Sequence, residues 1–312
     1  MSPSDRVNLS VQVGALRLRN PVITAAGTFG YGVEFAHLVD LNRLGGIVTK
    51  GISREPIEGA PSPRLSETPS GMLNAVGLQN VGVEEFVRTK LPVLQKYNTA
   101  VVVNVFGYCL EDYVEVIHRL NDHEGISAYE LNISCPNVKQ GGMQFGASPS
   151  AVTEVVLAAR RASGQRPLWV KLLPLVSDIK EIACAAESAG ADGLTIANTY
   201  PAMAIDVRTN KSKLGNLTGG LSGPAIKPIT LRLVWEARKA VRIPILGLGG
   251  IESAEDVLEY IAVGASAVQV GTASFADPKS SERIAGGLER ALRDAKAFTI
   301  SEIRDRFVAE NG

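Results

Sequence analysis

Cysteine and histidine are scarce in this chain of 312 residues, with three of each. The three cysteines, Cys109, Cys135 and Cys184, are far apart in the sequence. No CxxC pair and no cysteine–histidine cluster has the spacing of a zinc or iron–sulfur site. The sequence therefore predicts a protein with reduced thiols and no metal bound by this chain.

An excess of either charge is also absent. Lysine plus arginine and aspartate plus glutamate each number 32, so the formal net charge is zero. The chain has no basic field and no basic amphipathic segment, which argues against nucleic acid and membrane partners. The N-terminal residues include Asp5 and Arg6 and contain no apolar signal core. We therefore expect a soluble, cytoplasmic protein.

Apolar, β-branched runs alternate with segments of helical period along the whole chain, which is typical of βα units and a parallel sheet. The sequence predicts eight strands, at residues 21–25, 46–50, 100–106, 128–134, 168–172, 193–197, 243–247 and 267–271. Helices are predicted at residues 84–96, 110–121, 150–162, 179–189, 227–240, 254–263 and 280–297. This pattern predicts a (β/α)8 TIM barrel as a single domain over residues 1–312. A doubly wound sheet is the alternative, but no GxGxxG follows the first strand.

Several segments lie outside this repeating pattern. Residues 9–19 alternate around Gly14 and predict a β-hairpin that plugs the N-terminal end of the barrel. The connections at residues 52–83 and 200–228 are unusually long, and long ordered loops tend to be functional. Both follow strands, so we expect them on the catalytic face. Residues 135–148 contain three glycines, which is typical of a movable lid.

One run concentrates chemical groups at the end of a predicted strand. Residues 130–137 read Glu-Leu-Asn-Ile-Ser-Cys-Pro-Asn, and Pro136 ends the strand. Cys135 is therefore presented where barrel enzymes place their chemistry. A thiol has a reference pKa of about 8.5, so modest tuning makes it a proton donor or acceptor near neutrality. The alternative is a free cysteine packed as a small hydrophobic residue.

Other predicted strands also end in polar residues. Lysine and asparagine are poor strand formers, and a lysine within an apolar run needs a partner or a ligand. One such lysine could form a structural ion pair, but the set as a whole favours a polar, concave pocket for a planar ligand. The residues are Lys50, Gly51, Asn104, Asn132, Lys171, Asn198 and Thr199.

The last two predicted strands end in glycine. Gly249 and Gly250 follow the seventh strand, and Gly271 and Thr272 follow the eighth. Backbone N–H groups at such positions can cradle a phosphate, and in barrels these two loops often do so. A single Gly-Gly pair could equally be a tight turn. The two sites together favour phosphate binding.

Taken in order, several motifs resemble one family over essentially the whole chain. The chain is similar to the catalytic subunit of class 1B dihydroorotate dehydrogenases, FMN-containing barrels of pyrimidine biosynthesis. The segments that carry the resemblance are residues 20–27, 49–51, 74–80, 132–137, 197–199 and 219–228, with the two glycine sites. Ala26 stands where the family usually has serine, and Ala197 replaces a larger apolar residue. These departures bear on flavin packing and leave the reaction intact.

The resemblance implies a reaction and a set of roles. FMN takes a hydride from C6 of dihydroorotate, while Cys135 removes the proton at C5. The implied substrate-binding residues are Lys50, Asn74, Ala75, Val76, Gly77, Leu78, Asn132, Asn198 and Thr199. The implied cofactor-binding residues are Ala26, Lys50, Gly51, Asn104, Asn132, Lys171, Ala197, Gly223, Gly249, Gly250, Gly271 and Thr272. Lys50 and Lys171 are expected to stabilise the reduced, anionic flavin.

The resemblance to class 1B, rather than to the fumarate-using class 1A, rests on residues 209–211 and 214–216 leading into 219–228. It implies a homodimer that assembles into a heterotetramer with a separate subunit, which carries FAD and a [2Fe–2S] cluster and reduces NAD. This chain has neither a cysteine cluster nor a dinucleotide fingerprint for those steps. A cysteine base also separates it from the membrane-bound class, which uses serine and quinone and has an N-terminal extension.

Two other functions stay open from the sequence. One is an FMN barrel of the dihydropyrimidine dehydrogenase type, acting on uracil or thymine, which lack the carboxylate of orotate. The other is a non-catalytic, flavin-binding barrel, since one fold hosts many functions.

Overall fold

Eight parallel strands form a closed barrel in the structure, a computed structural model that describes residues 7–134 and 145–307. The strands are β1 (Val22–Thr24), β2 (Gly46–Val48), β3 (Ala100–Val105), β4 (Ala128–Asn132), β5 (Leu168–Lys171), β6 (Gly193–Ile196), β7 (Ile245–Leu248) and β8 (Ala267–Val270). They pair in chain order, and β8 closes the barrel on β1 through the register Val268 to Val22. The predicted (β/α)8 barrel is confirmed.

Helices cover the outside of this barrel. The longer ones span Leu110–Asn121, Pro149–Ser163, Ile179–Ser188, Lys227–Arg238, Ala254–Ala262 and Ser280–Asp294. Short α-helices lie at Gly82–Glu85, Leu91–Leu94, Ala273–Ala276 and Ile300–Ile303, and 3₁₀ turns at Val33–Phe35, Leu41–Arg43 and Pro224–Ile226. Each long helix buries an apolar stripe, as Val152, Val155, Val156 and Ala159 show. No helix in the described ranges is long and apolar enough to cross a membrane.

The helix predicted at residues 84–96 is interrupted. Gly82–Glu85 and Leu91–Leu94 are α-helical, but Phe86–Lys90 between them forms a π-helical turn. Pro92 has no N–H to donate to the carbonyl one turn before it, so a regular α-helical ladder cannot run through this point.

A β-hairpin precedes the barrel. Its strands, Val11–Val13 and Leu16–Leu18, pair antiparallel within the predicted segment 9–19. Val13 and Leu18 are buried in one apolar cluster with barrel residues that include Trp169. The turn at Gly14 approaches the carbonyl of Asp192, which directly precedes β6, so the hairpin lies at the amino end of the barrel.

The two long connections contain strands that the sequence analysis did not predict. They join into one antiparallel sheet in the order Tyr200–Ala202, Gly219–Ser222, Gly71–Asn74, Leu65–Thr68. A small two-stranded sheet, Ile205–Asp206 with Lys211–Ser212, extends from the second connection. Leu73, Ala75 and Leu214 form a buried cluster with this sheet. Because the connections leave β2 and β6, which lie opposite each other in the barrel, we term the four-stranded sheet the bridging sheet.

Candidate active site

A cavity of about 400 Å³ opens at the carboxyl end of the barrel, between the strand ends and the bridging sheet. Such a volume is typical of a small-molecule site. Every site residue predicted from the sequence that the structure describes lines this cavity. They are Ala26, Lys50, Gly51, Asn74, Ala75, Val76, Gly77, Leu78, Asn104, Asn132, Lys171, Ala197, Asn198, Thr199, Gly223, Gly249, Gly250, Gly271 and Thr272. Cys135 and most of the predicted lid 135–148 lie outside the described residues.

Ser134 orders two amide side chains at the ends of β4 and β6. Its Oγ donates to Asn132 Oδ1 at 2.8 Å and accepts from Asn198 Nδ2 at 2.7 Å. Asn198 Oδ1 in turn accepts from the backbone N–H of Thr199 at 2.8 Å. Ser134 is buried, so these bonds are shielded from water and fix both amides in the pocket wall. The sequence analysis assigned no role to Ser134, although it lies within the motif that ends in Cys135.

Cationic groups gather at the end of β2. Lys50 Nζ lies 3.4 Å from Gln79 Oε1, and Arg64 Nη1 donates to the same oxygen at 3.0 Å. Arg64 is anchored through the carbonyls of Ala60 and Glu58 at 2.6 and 2.8 Å. Burial lowers the pKa of Lys50, and the nearby charge of Arg64 lowers it further. Lys50 lines the cavity, and its charge and that of the nearby Arg64 attract an anionic group.

A buried carboxylate lies beneath the pocket. Glu130 accepts hydrogen bonds from Asn104 Nδ2 at 2.8 Å, from Thr195 Oγ1 at 2.6 Å and from Gln269 Nε2. All four side chains are fully buried inside the barrel. Asn104 Oδ1 and Gln269 Oε1 have no hydrogen-bond partner within the described ranges. Because Asn104 also lines the cavity, its free oxygen can accept a hydrogen bond from a ligand.

Lys171 stands close to this network, on β5. Its register partners are Asn132 on β4 and Thr195 on β6, and its side chain lines the cavity while remaining only 4% exposed as a residue. Burial lowers the pKa of Lys171, and the charge of Glu130 opposes this effect. A buried lysine of this kind supplies positive charge to a ligand that excludes water from the pocket.

Sequence reasoning missed several members of this site. Glu130, Thr195, Gln269, Gln79 and Arg64 were assigned no role. A signal existed for Glu130, because it lies two residues before Asn132 on a strand and therefore points to the same face. Arg64 and Gln79 lie in a long connection, where no periodicity shows which way a side chain points.

Glycines shape the part of the pocket that lies at the ends of β7 and β8. Gly249 and Gly250 have φ values of 146° and 67°, and Gly223 has 96°, all in the region that favours glycine. A Cβ on Gly250 would lie 2.9 Å from the carbonyl oxygen of Gly223, so the two loops touch through bare backbone. The N–H of Gly250 has no acceptor among the residues that the structure describes. These loops can hold an anion such as a phosphate.

Fold and site together define a (β/α)8-barrel enzyme whose pocket lies at the carboxyl ends of the strands. The sequence model of the family described as dihydroorotate dehydrogenase matches residues 8–292. The chain belongs to the dihydroorotate dehydrogenase family, as its motifs predicted.

Named relatives lie close in sequence and length. The dihydroorotate dehydrogenase B (NAD(+)) catalytic subunit of Trichlorobacter lovleyi is 53% identical over 95% of this chain and 97% of its own length. The protein of the same name from Pelobacter propionicus is also 53% identical, with the same coverage. A putative dihydroorotate dehydrogenase A (fumarate) from Solibacter usitatus is 56% identical over 91% of this chain and 93% of its own length.

Proposed function

We propose that this chain oxidises dihydroorotate to orotate in pyrimidine biosynthesis, as the catalytic subunit of an NAD-linked enzyme. The observation that carries the proposal is one pocket, in a member of this family, that is lined by cations, ordered amides and a backbone anion site. A carboxylated ring fits the cations and amides, and the phosphate of a nucleotide cofactor fits the glycine loops.

The residues present fit FMN as that cofactor. Within residues 7–134 and 145–307, the N–H of Gly250 and the Oδ1 of Asn104 have no hydrogen-bond partner, which suits a phosphate and a ring N–H respectively. Lys171 supplies positive charge beside the ring system. When bound, FMN supplies the acceptor for the hydride that leaves C6 of dihydroorotate.

The chain's own residues bind the substrate and move its proton. Lys50 attracts the carboxylate, and Asn132 and Asn198, held by Ser134, bind the polar edge of the ring. Cys135 directly follows Ser134 in the sequence, and its thiolate removes the proton at C5 as the hydride leaves C6. Lys171 stabilises the negative charge that this transfer adds to the pocket.

The onward path of the electrons requires a second subunit. Relatives that carry the name "catalytic subunit" support a partner, and three separated cysteines cannot ligate an iron–sulfur cluster here. We infer a partner that carries FAD and a [2Fe–2S] cluster and passes electrons to NAD, with two copies of each chain in a heterotetramer built on a homodimer.

Anaerobic absorption spectroscopy of the purified chain tests the reaction. The flavin band should bleach when dihydroorotate is added and should remain when dihydrouracil is added, because only dihydroorotate carries the carboxylate that Lys50 attracts. Bleaching by dihydrouracil alone would favour the dihydropyrimidine dehydrogenase type. A flavin band that neither compound bleaches would favour the non-catalytic barrel.

The electron acceptor needs a separate assay, since one relative is named for fumarate. We expect the chain alone to reduce fumarate poorly, and NAD reduction to appear only when the partner subunit is co-expressed. Rapid fumarate reduction by the chain alone would instead assign it to the fumarate-using class.

A further inference from the structure

A buried tyrosine holds the glycine loop from behind. Tyr260 lies on the helix Ala254–Ala262 and is fully buried. Its hydroxyl donates to the carbonyl oxygen of Gly249 at 2.7 Å and is also hydrogen-bonded to Thr230 Oγ1. Burial raises the pKa of Tyr260, so the phenol keeps its proton and remains a donor.

Because the peptide bond is planar, the contact with Tyr260 also determines the direction of the N–H on the other side of that bond. The unit between Gly249 and Gly250 is trans, so its C=O and N–H point in opposite directions. Because Tyr260 holds the oxygen on the helix side, the N–H of Gly250 is directed away from that helix. Gly250 lines the cavity, and this N–H has no acceptor in the described parts of the chain.

Thr230 extends the same support to a second helix, Lys227–Arg238. Thr230 Oγ1 lies within hydrogen-bond distance of the Tyr260 hydroxyl and also of the carbonyl oxygens of Ile226 and Lys227, at 3.1 and 3.0 Å. A Cβ on Gly249 would lie only 2.7 Å from Thr230 Oγ1, so the loop packs directly on this residue. Two helices therefore fix the orientation of a single peptide unit.

The described cationic side chains do not take over the role of the Gly250 N–H in binding an anion. Among the described residues that line the cavity, the cations are Lys50 and Lys171, which stand at the ends of β2 and β5. Lys227 lies near Gly250, but its Nζ is paired with Asp256 at 2.5 Å and Glu259 at 2.9 Å. Anion binding at Gly250 thus depends on the direction of its N–H.

We propose that Tyr260, supported by Thr230, is a positioning residue for the cofactor phosphate: it holds the Gly249 carbonyl so that the Gly250 N–H binds the phosphate of FMN. This inference rests on the proposed function, in which FMN is the cofactor. It predicts that Tyr260 matters for the phosphate and not for the flavin ring.

Riboflavin, which has the ring but lacks the phosphate, separates these two contributions. We would remove the flavin from the full-length protein and measure dissociation constants for FMN and riboflavin in the wild type, Tyr260→Phe and Tyr129→Phe. Tyr260→Phe should weaken FMN binding about 5- to 30-fold, the loss typical of one hydrogen bond to a charged group, and change riboflavin binding less than about twofold. Tyr129 is an equally buried tyrosine bonded to Asn121 and Arg166, outside the cavity lining, and Tyr129→Phe should change neither constant.

Equal weakening of both ligands by Tyr260→Phe, or no change in either, would overturn the positioning role. If Tyr260→Phe does not fold, Thr230→Val removes the supporting hydroxyl and should give the same selective loss, with Thr230→Ser restoring FMN affinity. A wild type that binds neither flavin would overturn the proposed function itself. If the wild type binds FMN but Tyr260→Phe shows no selective loss of FMN affinity, only the role of Tyr260 would be overturned.

Discussion

Ser134 is a single hydroxyl on which two ligand-facing amides depend. Ser134→Ala should weaken orotate binding about 5- to 30-fold, because in a buried setting Asn198 Nδ2 loses its acceptor and Asn132 Oδ1 loses the shorter of its two hydrogen bonds from Ser134. Orotate dissociation constants, read from the flavin spectrum, would measure this. The control is Ser163→Ala, a buried serine on the helix Pro149–Ser163 whose Oγ donates to Arg160 O at 3.2 Å. Similar affinities in both variants would contradict the role of Ser134.

The role of Cys135 as the base can be tested by comparing its alanine variant with that of another cysteine in the chain. Cys135→Ala should retain FMN but slow flavin reduction by dihydroorotate about 10²- to 10⁴-fold, the range for a lost general base. Stopped-flow absorbance under anaerobic conditions measures the rate. Cys184→Ala is the matched control, because this partly buried cysteine lies on the helix Ile179–Ser188, outside the described cavity lining. Reduction at the wild-type rate in Cys135→Ala would remove this cysteine from the mechanism.

Lys50 gives orotate binding a pH dependence of known sign. Its pKa is lowered from 10.5 by burial and by Arg64, so the ammonium loses its proton at a lower pH than an ordinary lysine. Attraction for the carboxylate is therefore present below the lowered pKa and is lost as the pH rises through it. Orotate dissociation constants measured between about pH 7 and pH 10 should rise before the usual lysine range is reached.

The comparison variant is Lys50→Met, which keeps the length of the side chain and removes the charge. It should bind orotate about tenfold or more weakly at neutral pH and should lack the alkaline step that belongs to Lys50. Identical pH profiles in the two proteins would show that another group titrates.

Individual site residues could be predicted from the sequence where a polar residue interrupts an apolar run. Lys171 and Asn104 could be assigned to a pocket because each is a polar residue inside an apolar run. Gln269 carries the same contrast, but its partner Glu130 lies 139 residues away, and nothing local links the two. Gln79 and Arg64 interact across a connection whose path depends on the rest of the fold.

Among the elements, the bridging sheet should behave as a separate unit of stability. Leu73 is buried in a small cluster, so Leu73→Ala should cost about 2–5 kcal/mol locally and speed amide exchange in Gly71–Asn74 and Gly219–Ser222. Hydrogen–deuterium exchange read by mass spectrometry would locate the change. Leu65→Ala, at a 41% exposed position of the same sheet, should have little effect. Faster exchange that includes β8 would show that the sheet and barrel open together.

Strand and helix positions could be read from the sequence, but the strand ends and the bridging sheet could not. The predicted strand 46–50 stops at Val48, and the N–H of Lys50 bonds to Gly30 O at 2.8 Å instead of to β3. The bridging sheet pairs Met72 with Ser222, and neither connection has the regular alternation that signals a strand.

For the whole molecule, stability and catalysis lie at opposite ends of the barrel. Leu18 is 1% exposed in the apolar cluster at the amino end, so Leu18→Ala should lower the free energy of unfolding by about 2–5 kcal/mol. The rate of flavin reduction should stay unchanged, because the pocket is at the other end. Urea unfolding and stopped-flow rates measure the two quantities. Leu157→Ala, at a 39% exposed position, is the control, and a slowed reduction in Leu18→Ala would contradict this separation.

The bridging sheet also bears on when the pocket forms during synthesis of the chain. Its first two strands, Leu65–Thr68 and Gly71–Asn74, leave the ribosome about 150 residues before Gly219–Ser222, with which Gly71–Asn74 pairs. Pairings so distant in sequence form late, since the intervening chain must first be ordered. A nascent chain can thus assemble β1 to β5 while the pocket still lacks one wall. We therefore expect ligand binding only after the second half of the barrel has been made, because Asn198, Gly220 and Gly250 line the pocket.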